Sequence, residues 1–252
     1  MMMKSGVLSA VLAACLLALW SPASAAPVKN VVIVHGALAD GSGWRKVFDL
    51  LTAKGYDVTV VQPPMTSLKD DVDATRRILD MQDGPSVLVG HSYGGMIVTE
   101  AGTAANVAGL VYVAAFQPDA GETLIDLATR TPPASKGILA TKDGYLYLDP
   151  KAFPDDFAAD VPKDEALFMA HSQVFPAQAA FETKITVPAW KEKKSWALIA
   201  TEDRAINPEL MRTMAARAGS QAVEVKGSHA VFMSQPAAVA DLIEKAAQAL
   251  SD

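Results

Sequence analysis

The sequence is poor in cysteine: Cys15 is the only one in 252 residues. No disulfide can form within the chain, so its stability has to come from a hydrophobic core. Histidine is scarce as well. His35, His91, His171 and His229 are the only four, and no Cys/His cluster has the spacing of metal ligands. No metal and no cofactor are expected. Basic residues form no long run and the net charge is −6, which argues against nucleic acid as a partner. The most apolar run, Val7 to Trp20, falls short of the ~20 residues a membrane-spanning helix needs. Internal repeats and low-complexity tracts are missing too. What remains is a chain long and apolar enough for one sizeable globular domain.

That apolar run has a different meaning. Lys4 gives it a positive start, and Ala23-Ser24-Ala25 follows with the small-x-small pattern of a signal peptidase site. Residues 1–25 read as a signal peptide, cleaved after Ala25, and 26–252 as the mature domain. The expected location is periplasmic or secreted, with no membrane insertion after cleavage. Leu12-Ala13-Ala14-Cys15 resembles a lipobox, but apolar residues continue past Cys15 to Leu19, which disfavours lipid anchoring.

From Val31 the chain alternates short β-branched runs with helical periods. Strands are expected at 31–34, 58–61, 87–89, 110–113, 196–200 and 222–225. Helices are expected at 44–54, 67–81, 93–104, 207–219 and 236–250. Ser67 with Asp70, and Asn207 with Pro208, are helix-start signals. Strands alternating with helices imply parallel βαβ units and a sheet covered on both faces. The fold class is α/β, with six mostly parallel strands. Between Phe116 and Trp190 the rhythm breaks, and eight of the fifteen prolines fall there. This stretch, about 116–190, reads as a cap insertion of short helices and loops. Its Phe153, Phe157, Phe168, Met169, Phe175, Phe181 and Trp190 are apolar candidates for pocket walls or cap core.

Gly90-His91-Ser92-Tyr93-Gly94 fits G-x-S-x-G between an expected strand and an expected helix. So sharp a turn strains its serine and tolerates only small neighbours, and it presents the hydroxyl above the sheet edge. A serine needs a base to take its proton. His229 sits in a loop just beyond the last strand, behind Gly227-Ser228, where such a base belongs. The acid should follow the fifth strand, within Thr201-Glu202-Asp203-Arg204. Asp203 is preferred over Glu202, and Asp119 after the fourth strand is an outside candidate. Glu202 should then point into solvent or pair with Arg204. Two backbone N–H groups would serve an oxyanion. One belongs to Tyr93, the other to Ala37 in His35-Gly36-Ala37. Asp40-Gly41-Ser42-Gly43 is expected to form a flexible wall of the site.

His35-Gly36-Ala37 through Trp44, the Gly-His-Ser-Tyr-Gly-Gly elbow, Thr201-Glu202-Asp203-Arg204 and Gly227-Ser228-His229 together resemble the α/β-hydrolase superfamily. More closely they resemble its small bacterial serine esterases, which are similar to plant methylesterases, hydroxynitrile lyases and pyrethroid-ester hydrolases. The resemblance implies a Ser92, Asp203, His229 triad with Ala37 and Tyr93 in the oxyanion hole, and a small-molecule ester as substrate. The lyase branch carries lysine after the histidine and threonine at the Gly36 position. Ala230 and Gly36 stand there in this chain, which favours hydrolysis. Cofactor-free perhydrolases and C–C hydrolases share the triad and remain alternatives, as does a non-catalytic ligand-binding protein.

Overall fold

The computed structural model describes residues 28–251. The expected signal peptide, with cleavage after Ala25, and the lipobox-like run ending at Cys15 lie outside the described residues. Among the described residues no helix is long and apolar enough to cross a membrane.

Eight strands are present among the described residues: β1 (Asn30–Val34), β2 (Asp57–Val61), β3 (Ser86–Ser92), β4 (Val107–Ala115), β5 (Ile138–Ala140), β6 (Leu146–Leu148), β7 (Ser195–Ala200) and β8 (Gln221–Val225). Six of them form one sheet in the order β2-β1-β3-β4-β7-β8. Every pairing in it is parallel. The β-branched runs account for this: β1 and β3 are buried at every position, as strands covered on both faces must be. The edge strands β2 and β8 are only partly buried.

Helices α1 (Arg45–Ala53), α2 (Leu68–Leu79), α3 (Gly94–Ala101), α8 (Pro208–Arg217) and α10 (Pro236–Ala249) cover the sheet. Helix α10 packs on α1, and α3 packs on α2. Their starts follow the sequence signals. Ser67 Oγ accepts from Asp70 N at 3.1 Å, and Asn207 Oδ1 accepts from Glu209 N at 3.0 Å. On α10, Val239, Leu242, Ile243 and Ala246 are buried along one stripe.

Between β4 and β7 the chain leaves the sheet. This stretch holds α4 (Leu124–Arg130), the β5–β6 hairpin, α5 (Phe153–Asp156), α6 (Lys163–His171) and α7 (Gln178–Glu182). The antiparallel hairpin departs from the expected helices and loops. Its cause is local: Gly144 holds a φ of +88°, and Thr141 N donates to Tyr145 O at 2.7 Å to close the turn. The chain returns directly beside β4, so β7 and β8 lie next to each other. Because all six strands run the same way, the loops after β1, β3, β7 and β8 gather at one edge of the sheet. Helix α9 (Val231–Ser234) follows the last of these loops.

Candidate active site

Ser92 ends β3 with a φ of +53°, a left-handed conformation that a non-glycine residue holds at a cost. The turn is possible because its neighbours lack side chains. A Cβ on Gly94 would stand 2.5 Å from Val34 O, and one on Gly90 would stand 2.6 Å from Gly94 O. On Gly95 it would meet Phe116 O at 1.9 Å, so the helix after the elbow packs flat on the end of β4. On Gly36 it would reach Ser92 Cβ at 2.7 Å, which sets the loop after β1 directly against the serine.

Three side chains from three loops meet here. His229 Nε2 lies 2.8 Å from Ser92 Oγ, and His229 Nδ1 lies 2.7 Å from Asp203 Oδ2. A carboxylate only accepts, so the ring proton sits on Nδ1 and Nε2 is free to accept from the serine. Asp203 is itself held: its Oδ1 accepts from Ala205 N and Ile206 N, both at 2.8 Å. All three residues are buried.

The rival carboxylates lie elsewhere. Glu202 is exposed and sits 3.5 Å from Lys226 Nζ, not beside Arg204. Arg204 turns instead to Asp156, 2.9 Å away. Thr201 and Glu202 form a turn closed by Asp203 N on Ala200 O at 3.3 Å, and Asp203 faces the interior. Asp119 pairs with Lys191 at 2.5 Å, and that lysine holds its carboxyl below the usual carboxylate range.

Ala37 and Tyr93 line the same cavity as Ser92 and His229. Among the described residues neither of their N–H groups has a backbone or side-chain acceptor. Leu38, next in chain, is left-handed at φ +66°, and its N–H is tied to Val174 O at 3.1 Å. Asp40 to Gly43 does not line the cavity of Ser92 and His229, contrary to the expected wall of the site. Asp40 Oδ1 accepts from Ser42 N at 2.7 Å and caps a 3-10 turn over Gly41–Trp44. That turn borders a different cleft of about 310 Å³, with Phe168 and Met169, on which neither Ser92 nor His229 opens.

The cavity on which Ser92 and His229 open holds about 330 Å³. Leu124, Ile125, Ile138, Leu146, Phe157 and Phe181 supply much of its wall, and among the described residues no Asp, Glu, Lys or Arg lines it. Of the aromatic cap residues, Phe157 and Phe181 therefore face the site. Phe153 and Trp190 are buried in the cap, and Phe175 stacks on Tyr147.

Several contacts around Ser92, His229 and Asp203 are not foreseen from the sequence. His91 is fully buried and donates Nε2–H to His229 O at 3.0 Å. Burial, then the neighbouring His229, hold its pKa far below the ordinary histidine value, so it stays neutral. Phe157 sets its ring edge-on to the His229 imidazole, centroids 4.7 Å apart. Asp71 receives the Tyr93 hydroxyl. None of these contacts has a motif, since each joins residues distant in sequence. His35 turns to Gly36 O and Gln62, and His171 is exposed on the cap. Among the described residues no cluster of three His, Cys, Asp or Glu could hold a metal ion.

A strained serine at the end of a central parallel strand, facing a histidine and an aspartate from later loops, is the arrangement of an α/β-hydrolase. The alpha/beta hydrolase family matches residues 31–242, and the chain belongs to that family. It is 28% identical over 249 residues to the alpha/beta hydrolase nvfD of Aspergillus novofumigatus, spanning 86% of this chain and 96% of that one. Salicylic acid-binding protein 2 of Nicotiana tabacum is 25% identical over 242 residues, 82% of this chain and 93% of that one. The crystal structure of a pyrethroid hydrolase from Sphingobium faniae matches with a TM-score of 0.76 at 23% identity, covering 88% of this chain and 98% of that one. Likeness at that identity speaks to the fold.

Proposed function

We propose that the chain hydrolyses carboxylic esters of small to medium acyl or aryl groups through an acyl-enzyme. The observation that carries this reading is the unbroken line Ser92 Oγ, His229 Nε2, His229 Nδ1, Asp203 Oδ2, with contacts of 2.8 and 2.7 Å, opening on an apolar cavity. Ser92 Oγ attacks the ester carbonyl while its proton passes to His229 Nε2. The carbonyl oxygen takes the negative charge, facing the Ala37 and Tyr93 N–H groups. The C–O bond then breaks, and His229 returns the proton to the leaving alcohol. A water gives its proton to the same nitrogen and attacks the acyl carbon. Collapse frees the acid and restores Ser92. Asp203 keeps the imidazole in the right tautomer and stabilises the imidazolium. No step needs a metal or cofactor, so a chelator leaves the rate unchanged.

A wall without ionised side chains favours a neutral substrate, because a charged group would lose its hydration with nothing to replace it. The size of the cavity suits a ligand of small-molecule dimensions. Turnover of soluble aryl esters graded by acyl length tests the reading. Short to medium chains should react fastest, and Ser92→Ala should abolish the reaction. Faster hydrolysis of emulsified long-chain lipid would contradict it. Export belongs to the same proposal: protein recovered from its native host should begin at Ala26.

A further inference from the structure

His229 stands on a loop with no regular structure until α9 begins at Val231. Three non-local bonds fix the main chain around it. Ser228 N donates to Asp160 Oδ2 at 3.0 Å, Ala230 N to Phe157 O at 2.9 Å, and His91 Nε2–H to His229 O at 3.0 Å. Two of these anchors come from one short stretch of the cap, just after α5. Asp160 also accepts from Ser228 Oγ, and that oxygen in turn accepts from Ala230 N at 3.2 Å. The chain of contacts from Asp160 through Ser228 to Ala230 thus spans the histidine on both sides.

The same stretch holds the acid loop. Arg204, the neighbour of Asp203, donates from Nε to Asp156 Oδ1 at 2.9 Å. Ser135 completes the grip, with Oγ on Asp156 Oδ2 at 2.7 Å and N on Arg204 O at 2.8 Å. Glu202 N also donates to Gly227 O at 3.0 Å, which joins the two loops directly. The direct bond fixes their spacing, and the cap fixes where the pair sits above Ser92.

We propose that Asp160 is a positioning residue for the base. By accepting both the N–H and the hydroxyl of Ser228, it holds His229 in line with Ser92, while Asp156 does the corresponding work on the acid loop. A carboxylate suits this task because it offers two acceptor oxygens to one residue at once. Without Asp160, water can reach the Ser228 donors, but a mobile water does not fix the loop as a carboxylate bonded to both donors does, so the histidine loses its fixed position. Asp160 itself is exposed and buries little apolar surface, so its removal acts on geometry rather than on the core. The proposal rests on the esterase reading of the triad.

The test uses the full chain with Asp160→Ala, Ser228→Ala and the double variant, and Asp155→Asn, an exposed carboxylate in the preceding helix α5, as a control. Two readouts are taken: kcat and KM on p-nitrophenyl acetate, and the far-downfield proton resonance of the His229–Asp203 hydrogen bond. Asp160→Ala should lower kcat about 10- to 100-fold, the cost of a misplaced base. KM should stay within about twofold, because the cavity wall is untouched. The downfield resonance should broaden or vanish. The double variant should lose clearly less than the product of the two single losses, since the Asp160–Ser228 contact is shared, while Ser228 Oγ also accepts from Ala230 N. Asp155→Asn should behave as wild type. Unchanged kcat with an intact resonance in Asp160→Ala, or fully additive losses, would overturn the proposal. Should Asp160→Ala fail to fold, Ser228→Ala and Asp160→Asn, which keeps one acceptor, probe the same contact through the same two readouts. The resonance needs no substrate. Failure of wild type to turn over esters would therefore refute the esterase reading and leave the Asp160 result standing.

Discussion

The Tyr93 hydroxyl donates to the Asp71 carboxylate at 2.6 Å, with both side chains buried. The same carboxylate accepts from Met65 N at 2.7 Å, and Met65 is left-handed at φ +61°. Asp71 therefore ties α2 and the strained Met65 turn to the residue whose N–H faces the proposed oxyanion. Burial pushes the Asp71 pKa up to about 6, against the pull of the Tyr93 and Met65 bonds. Burial and the charge of Asp71 push the Tyr93 phenol up as well.

A pH dependence of stability follows. The folded Asp71 value of about 6 lies above its ordinary 3.8, so its ionised form opposes folding. That penalty is full above the folded value, eases as pH falls through it, and is gone below the unfolded one. Wild type should gain stability relative to Asp71→Asn on the order of 1 kcal/mol between about pH 7 and pH 5. Denaturant midpoints across that range measure it. A signed difference, wild type minus Asp71→Asn, that stays flat or falls as pH falls would contradict the assignment.

The strained elbow separates two replacements of the nucleophile. Ser92→Ala and Ser92→Gly should both lose nearly all esterase activity. At φ +53° alanine keeps the strain and glycine does not, so the glycine variant should be the more stable by about 1 kcal/mol. Thermal unfolding of the pair decides this, and a fluorophosphonate should label only Ser92 in wild type.

Asp203→Asn should keep the fold and cut kcat by about 10⁴, through loss of the correct imidazole tautomer. Glu202→Gln and Asp119→Asn, whose carboxylates face Lys226 and Lys191, should each cost less than about tenfold. Steady-state kinetics on one aryl ester ranks all three. A crippled Asp119→Asn beside an active Asp203→Asn would move the acid to the fourth strand.

The contact of α3 with the end of β4 leaves no room for a methyl. Gly95→Ala would set a carbon 1.9 Å from Phe116 O, and should unfold the protein or destabilise it by more than about 3 kcal/mol. Gly84→Ala, whose nearest neighbour would be Asn30 Nδ2 at 3.5 Å, should change stability by less than about 0.5 kcal/mol. Expression yield and unfolding midpoints distinguish them.

The six sheet strands were legible as short β-rich runs bounded by turn residues; for the four inner strands burial on both faces demands the apolar run, while the edge strands β2 and β8 are only partly buried. The helix starts at Ser67 and Asn207 were legible because a cap is a local hydrogen bond. The cap insertion was harder to read. Its β5–β6 hairpin carries Asp143-Gly144, a local turn signal, but the flanking strands are three residues each and show no alternation. Asp40 also had a local signal, its bond to Ser42, yet a Gly-rich stretch reads as mobile until that bond is seen.

By itself the sequence determined the strained elbow, the strand and helix rhythm, and the loops in which an acid and a base belong, since turn chemistry and periodicity are properties of neighbours along the chain. Only the tertiary structure decided which carboxylate faces His229, that His91 and the cap carbonyl of Phe157 hold its main chain, and that Arg204 reaches Asp156 rather than Glu202. Those outcomes depend on how strands far apart in sequence are ordered in the sheet and on which side chains each one turns inward. Hydrogen bonds between residues 26 to 138 positions apart, such as Asp203 to His229 and His91 to His229, leave no period or motif in the sequence. They exist only once burial has removed the water that would otherwise satisfy the same groups.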